Sequence, residues 1–218
     1  HSLRRRQRQM CIRDRLSGLY SVNARKGGNV SPIPADHSQN LTGIWPKKVV
    51  NYKTVMSDAA SGFTSVTYPF PVIRMADLYL MYAEALNEKG EDYATVLPWI
   101  DMVRERSGLQ GVKESWDQYV GNSKYATQTG LRQIIMQERR IELAFEGHYF
   151  WDVRRWKTAT TELTQPLTGW KVRYGETDVD YYSENLVLVR DFTPKMYFWP
   201  IDIGELRKDP NLVQNYGW

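Results

Sequence analysis

Glu138 and Glu142 stand one helical turn apart within LRQIIMQERRIELAFEG, residues 131–147. Two carboxylates at close range are the equipment of glycoside hydrolysis, one protonated as acid and the other ionised as base or nucleophile. Their setting points elsewhere. Arg139, Arg140, Arg154 and Arg155 lie nearby in sequence, and cations within reach favour two ionised carboxylates over one that keeps its proton. Glu138 also falls on the helical-period stripe of Leu131, Ile134, Ile141 and Phe145. A carboxylate that faces a core is costly unless a cation meets it. The expectation is therefore a structural ion-pair network of Arg74, Glu138, Glu142, Arg154 and Arg155, with no catalytic residue.

The other side chains with chemical use are aromatic. Eight Trp and fourteen Tyr are many for 218 residues, and they imply an aromatic core or exposed platforms for flat ligands. Sugar rings present C–H faces to indole and phenol, while neighbouring polar groups bond the hydroxyls. Trp45, Trp116, Trp170, Tyr174, Tyr181 and Tyr182 fall on loop-like stretches and are the candidates. Each of them singly is also explained as an anchor that pins a loop to a core. There is no Gly-rich phosphate loop, no G-x-S-x-G elbow and no Cys or His pair at metal spacing. Of His1, His37 and His148, only His148 sits in a motif, where Glu146 and Asp152 are near enough to bond it. No cofactor and no metal are expected. The lone Cys11 permits no internal disulfide.

The formal net charge of +4 is set by residues 1–15, which hold six Arg and one Asp. The rest of the chain carries 23 basic and 24 acidic side chains, so it offers no basic patch for a nucleic acid. No apolar stretch follows the arginines, as a secretory signal requires, and no run is long enough for a membrane span. Residues 1–15 read as a non-native or disordered basic tail.

The composition of residues 16–67 predicts an irregular, loop-rich segment. Tyr68-Pro69-Phe70-Pro71 stops any upstream element. Ile73, Ala76, Leu80, Ala83 and Asn87 then keep a helical beat that Gly90 ends. A second helix is expected from Thr95, its cap, to Gly108, with Pro98 in the first turn. Thr127 or Thr129 caps the helix that carries the glutamates. After Gly147 a short helix brings Phe150, Trp151, Val153 and Trp156. Loop insertions are expected at 109–128 and 158–197, with a strand-like run Leu186–Val189, and a short helix near Asp202–Lys208. The fold class is mainly α, with tetratricopeptide-like helical hairpins, a layer of long irregular loops and little β. Two hairpins are fewer than a free-standing solenoid needs, so further units upstream or covering loops are expected.

ERRIELAFEGHYFWDVRRWK, residues 138–157, resembles the signature of the SusD/RagB family, with Tyr149 where family members tend to carry Arg. Arg74 followed by ADLYLMYAEA, and the close PIDIGELRKDPNLVQNYGW, resemble the family's helix opening and terminal pattern. The resemblance spans roughly Thr42–Trp218, with 68–218 as a helical C-terminal domain, and implies that the C-terminus is native and an N-terminal part is missing. It further implies a non-enzymatic, lipid-anchored outer-membrane protein of Bacteroidetes polysaccharide utilisation. Such a protein binds glycans at the cell surface and passes them to a partner SusC-like TonB-dependent transporter. The lipid anchor is absent from this sequence. An oligopeptide-capturing relative is the alternative within the scaffold, and a glycosidase using Glu138 and Glu142 is the alternative outside it. A repeat module that binds only protein is a further one.

Overall fold

The computed structural model describes residues 42, 48, 51, 53, 55–56, 63–64, 66–67, 70–171 and 177–218. Residues 1–15 and most of 16–67, Trp45 among them, lie outside the described residues, as does Tyr174. The chain is mainly α-helical and divides into two compact units. The described part of the first runs from Lys48 to Tyr149, and that of the second comprises Thr42 and residues 150–218.

The first unit opens with a minimal antiparallel pair, β1 (Val55–Met56) and β2 (Phe63–Thr64). Helix α1 (Met75–Lys89) buries Ala76, Asp77, Leu80, Ala83 and Asn87, while Ile73 is exposed and takes no part in the stripe. Gly90, at φ 89°, lets its own N–H reach the Asn87 carbonyl and that of Glu91 reach Leu86, a turn that only glycine enters freely.

Helix α2 spans Tyr93–Arg106, so it begins before the expected Thr95. Asp92 is the cap, accepting from the Ala94 N–H at 2.8 Å, and Pro98 lies inside the helix. An interior proline costs about 3 kcal/mol. Burial of Val96, Leu97, Ile100 and Val103, at about 1.5–3 kcal/mol for each side chain, offsets it.

Residues 109–128 are a loop only in part, because Val112–Tyr119 form helix α3. Its cap comes from another element: Asp101 of α2 accepts from the Val112 N–H at 2.7 Å. Burial raises the Asp101 carboxyl above the usual range, and the Val112 bond and the Arg104 charge offset this in part.

Thr127 caps helix α4 (Gln128–Glu142) through the Gly130 N–H at 3.1 Å. Leu131, Ile134 and Ile135 of α4 close one core with Leu80 and Ala83 of α1 and Ile100 and Val103 of α2. Phe145 was expected on that stripe, but it lies beyond the helix at φ 66° and is 63 % exposed. Once the backbone leaves the helical region, the 3.6-residue period no longer decides which way a side chain faces.

Helix α5 (His148–Arg155) contains the divide between the units. In the second unit, α6 (Ala159–Glu162) leads to the antiparallel hairpin of β3 (Leu167–Trp170) and β4 (Glu184–Leu188). Helix α7 (Asp178–Tyr181) lies between these strands in sequence, and α8 (Ile203–Lys208) near the end. The expected 158–197 insertion thus holds regular structure, with β4 two residues earlier than the apolar run at Leu186 marks it.

The tail is tied back onto residues 195–201. Gln214 both accepts from the Ile201 N–H and donates to its carbonyl, Asn215 donates to the Trp199 carbonyl, and the Trp218 indole N–H donates to those of Lys195 and Phe198.

Candidate functional site

In the first unit Glu138 and Glu142 are 5 % and 1 % exposed. Arg104 pairs with Glu138 through Nη1 and donates from Nε to the Gln110 carbonyl at 2.8 Å and from Nη2 to Ser115 Oγ at 3.0 Å. Glu142 Oε1 accepts from Arg74 at 3.0 Å and from Arg106 at 2.6 Å. Arg74, in extended conformation just before α1, also forks onto Glu146 at 2.7 and 2.8 Å. Lys48 joins the same carboxylate. Burial opposes ionisation of Glu146, but hydrogen bonds from Arg74 and Lys48 outweigh it and hold the carboxyl below the usual glutamate range. Arg139 Nη1 meets Asp77 Oδ1 at 2.9 Å.

These glutamates are buried and each is met by an arginine, so neither carboxylate faces open solvent. Of the five residues expected to form this network, the structure brings Arg74 to Glu142. Glu138 finds Arg104, which the sequence reading missed although it lies one turn beyond Ile100 on the buried face of α2. Arg106, Glu146 and Lys48 were also missed, and nothing in their spacing singles them out. Arg154 and Arg155 belong to the second unit. There Arg155 Nε donates to Asp152 at 2.8 Å, and Arg154 lies over the rings of Phe150 and Phe192 at 3.6 and 5.1 Å. Tyr149 has the Arg140 guanidinium 4.8 Å from its ring.

The aromatic candidates separate in the same way. Trp116 is on α3, not on a loop, and packs partly buried against the core with the Lys124 ammonium 5.7 Å from its ring. That burial makes it an anchor. Trp170, Tyr181 and Tyr182 come together on the hairpin. Trp170 ends β3, half-buried, with its centroid 5.4 Å from that of Tyr182 at 85°. Tyr182 meets Tyr181 edge-on at 5.0 Å. Tyr181 is 6 % exposed, so it supports the pair and offers no free face, whereas Tyr182 is 59 % exposed. Edge-to-face pairs of this kind are worth about 0.5–1.5 kcal/mol beyond their burial.

The backbone holds them in place. The Lys171 N–H donates to the Tyr181 carbonyl at 3.0 Å, and the Trp170 N–H to that of Thr42 at 3.2 Å. Gly169 permits this approach, because a Cβ there would stand 2.7 Å from Thr42 Cα. In the ladder Trp170 faces Glu184 and Thr168 faces Leu186, so these four share one face of the hairpin. The arrangement is a small, rigid aromatic surface with a polar edge, suited to stacking a flat apolar face beside hydrogen-bonding groups. Among the described residues there is no group of side chains able to hold a metal ion, and no helix is long and apolar enough to cross a membrane.

A family model described as the SusD family matches residues 21–218. The chain is similar to SusD-like protein P2 of Formosa agariphila, with 37 % identity over 144 residues that make up 66 % of this chain and 28 % of that protein. Among solved structures it is similar to BT4246, with a TM-score of 0.77 and 25 % identity over 92 % of this chain and 33 % of that one. It is also similar to a SusD-like carbohydrate binding protein of Bacteroides fragilis, with a TM-score of 0.51 and 32 % identity over 66 % of this chain and 28 % of that one. The chain thus spans no more than about a third of the length of these relatives.

Proposed function

The chain belongs to the SusD family, and from that premise we propose that it is part of a non-catalytic glycan-binding protein of the cell surface. The observation that carries the reading is the Trp170–Tyr182 pair, held rigid by the hairpin and open to solvent through Tyr182. A sugar ring stacks there by its C–H face, and Thr168, on the same face of the hairpin as Trp170, is placed to meet its hydroxyls. Such a platform binds weakly per contact, and a polymer engages it repeatedly.

Non-catalysis is supported by the burial and ion pairing of Glu138 and Glu142, which leave neither carboxylate open to a substrate. In the whole protein a lipid anchor would hold this domain at the outer membrane. A SusC-like TonB-dependent transporter would receive the captured oligosaccharide. Neither feature is carried by the described residues, and co-purification of the full-length protein with the transporter tests the second.

The ligand class is tested by affinity-gel retention and titration calorimetry of the intact chain against starch, mannan, pectin and casein-derived oligopeptides. Retention by a polysaccharide is expected to weaken about three- to tenfold in Trp170→Ala and in Tyr182→Ala, the loss of one stacking contact. Binding of the oligopeptides alone would replace the ligand class with peptides. Turnover of nitrophenyl glycosides that disappears in Glu138→Gln would restore the enzyme reading.

A further inference from the structure

The platform has a charge of its own. Among the described residues, Asp180 and Glu184 are exposed carboxylates beside Trp170 and Tyr182, and Lys171 is the neighbouring ammonium. Glu184 is the direct cross-strand partner of Trp170, so its carboxylate stands on the indole's face of the hairpin. Asp180 and Asp178 come from α7, which runs directly into Tyr181 and Tyr182. Thr177 caps this turn by accepting from the Asp180 N–H at 3.2 Å, and Ser183 donates both N–H and Oγ to the Asp180 carbonyl. These bonds fix the backbone that carries the acids. Lys171 Nζ lies 3.9 Å from Asp180 Oδ1 and is taken up by that carboxylate. It therefore does not offset Glu184 as well.

Resting on the glycan reading of this site, we infer that the platform selects uncharged saccharides and rejects uronate- and sulfate-bearing ones. The aromatic faces supply attraction common to all pyranoses. The Glu184 carboxylate at the rim adds a term that only an anionic ring feels, and it works as a repulsive specificity element. Asp180 is offset by Lys171, so the repulsion rests on Glu184, and one like-charge pair at about 7 Å in water weakens binding about threefold. The term fades with salt, because Glu184 is exposed.

The test uses the intact chain and two matched polymers, starch and starch oxidised at C6 to carry carboxylates, with mannan and pectin as a second pair. Affinity is measured by gel retention and calorimetry at low and high ionic strength. The readout is the ratio of carboxylated to neutral affinity within each protein, not the affinity itself. In the wild type the oxidised member is expected to bind about threefold more weakly at low salt. Both high salt and the exposed-surface variant Glu184→Gln are expected to bring the ratio close to one. Equal or tighter binding of oxidised starch or pectin by the wild type overturns the inference, as does a ratio that the variant leaves unchanged. Failure of every polymer to be retained, by wild type and variant alike, overturns the glycan reading beneath it.

Discussion

Glu138→Ala puts the ion-paired frame to a quantitative test. The Arg104 side chain is 10 % exposed and that of Glu138 is 7 %, so water cannot replace the lost partner. Arg104 would keep two neutral acceptors, the Gln110 carbonyl and Ser115 Oγ, neither of which carries the compensating charge. Removing one side of a buried pair costs about 3–5 kcal/mol. For a chain of this size that lowers the melting temperature by about 6–20 °C.

Glu138→Gln keeps the volume and one acceptor oxygen, so its loss is expected to be smaller, about 1.5–3 kcal/mol. The double variant Glu138→Ala/Arg104→Met is expected to regain most of the stability, since no charge is then left stranded. Urea unfolding followed by circular dichroism of the wild type, Glu138→Ala, Arg104→Met and the double variant closes the cycle. A loss below about 1 kcal/mol in Glu138→Ala, the range of solvent-exposed pairs, would refute the reasoning. So would a double variant no more stable than the single one.

Three further outcomes follow from local geometry. Glu146 has a folded pKa depressed below the ordinary value of 4.5 by Arg74 and Lys48. Its contribution is therefore fully present above that value and lost as pH falls through the folded one, and Glu146→Gln should flatten the acid limb of a stability–pH curve below about pH 4.5. Asp101→Ala removes the cap of α3 and should cost about 1 kcal/mol in denaturant unfolding, whereas Asp101→Asn, which keeps the acceptor and sheds a buried charge, should recover most of it. Gly130→Ala should destabilise by about 1–3 kcal/mol despite alanine's better helix propensity. A Cβ at that position falls onto the Lys124 carbonyl oxygen and within 2.8 Å of Thr127 Oγ1, and a thermal melt decides it.

Features governed by neighbours in sequence were legible. The buried stripe of α1, the glycine that ends it and the threonine cap of α4 depend on periods and dihedrals a short window contains. Helix α3 escaped because its cap, Asp101, belongs to another helix, and eight residues alone are too few to announce themselves. The start of α2 was misplaced because Pro98 looked like a boundary, whereas Asp92 and four buried aliphatics decide the matter. A carboxylate on an apolar stripe does demand a cation, but which arginine answers is a matter of tertiary approach. Arg104 reaches Glu138 from another helix, 34 positions away. The aromatic candidates divided on the same ground, since Trp116 and Tyr182 look alike in a polar stretch until packing buries one and leaves the other open.

Two of the pairs that join these helices, Arg104–Glu138 between α2 and α4 and Arg139–Asp77 between α4 and α1, are largely withdrawn from solvent, Arg139 and Asp77 being 3 % and 11 % exposed in their side chains. Dissolved ions weaken an attraction only where they can enter the space around it. Exposed pairs such as Lys113–Asp117 fade in brine, while the inner ones do not feel it. The helical frame should therefore keep its shape from dilute buffer to concentrated electrolyte, leaving only the charge-dependent part of recognition to vary with the medium.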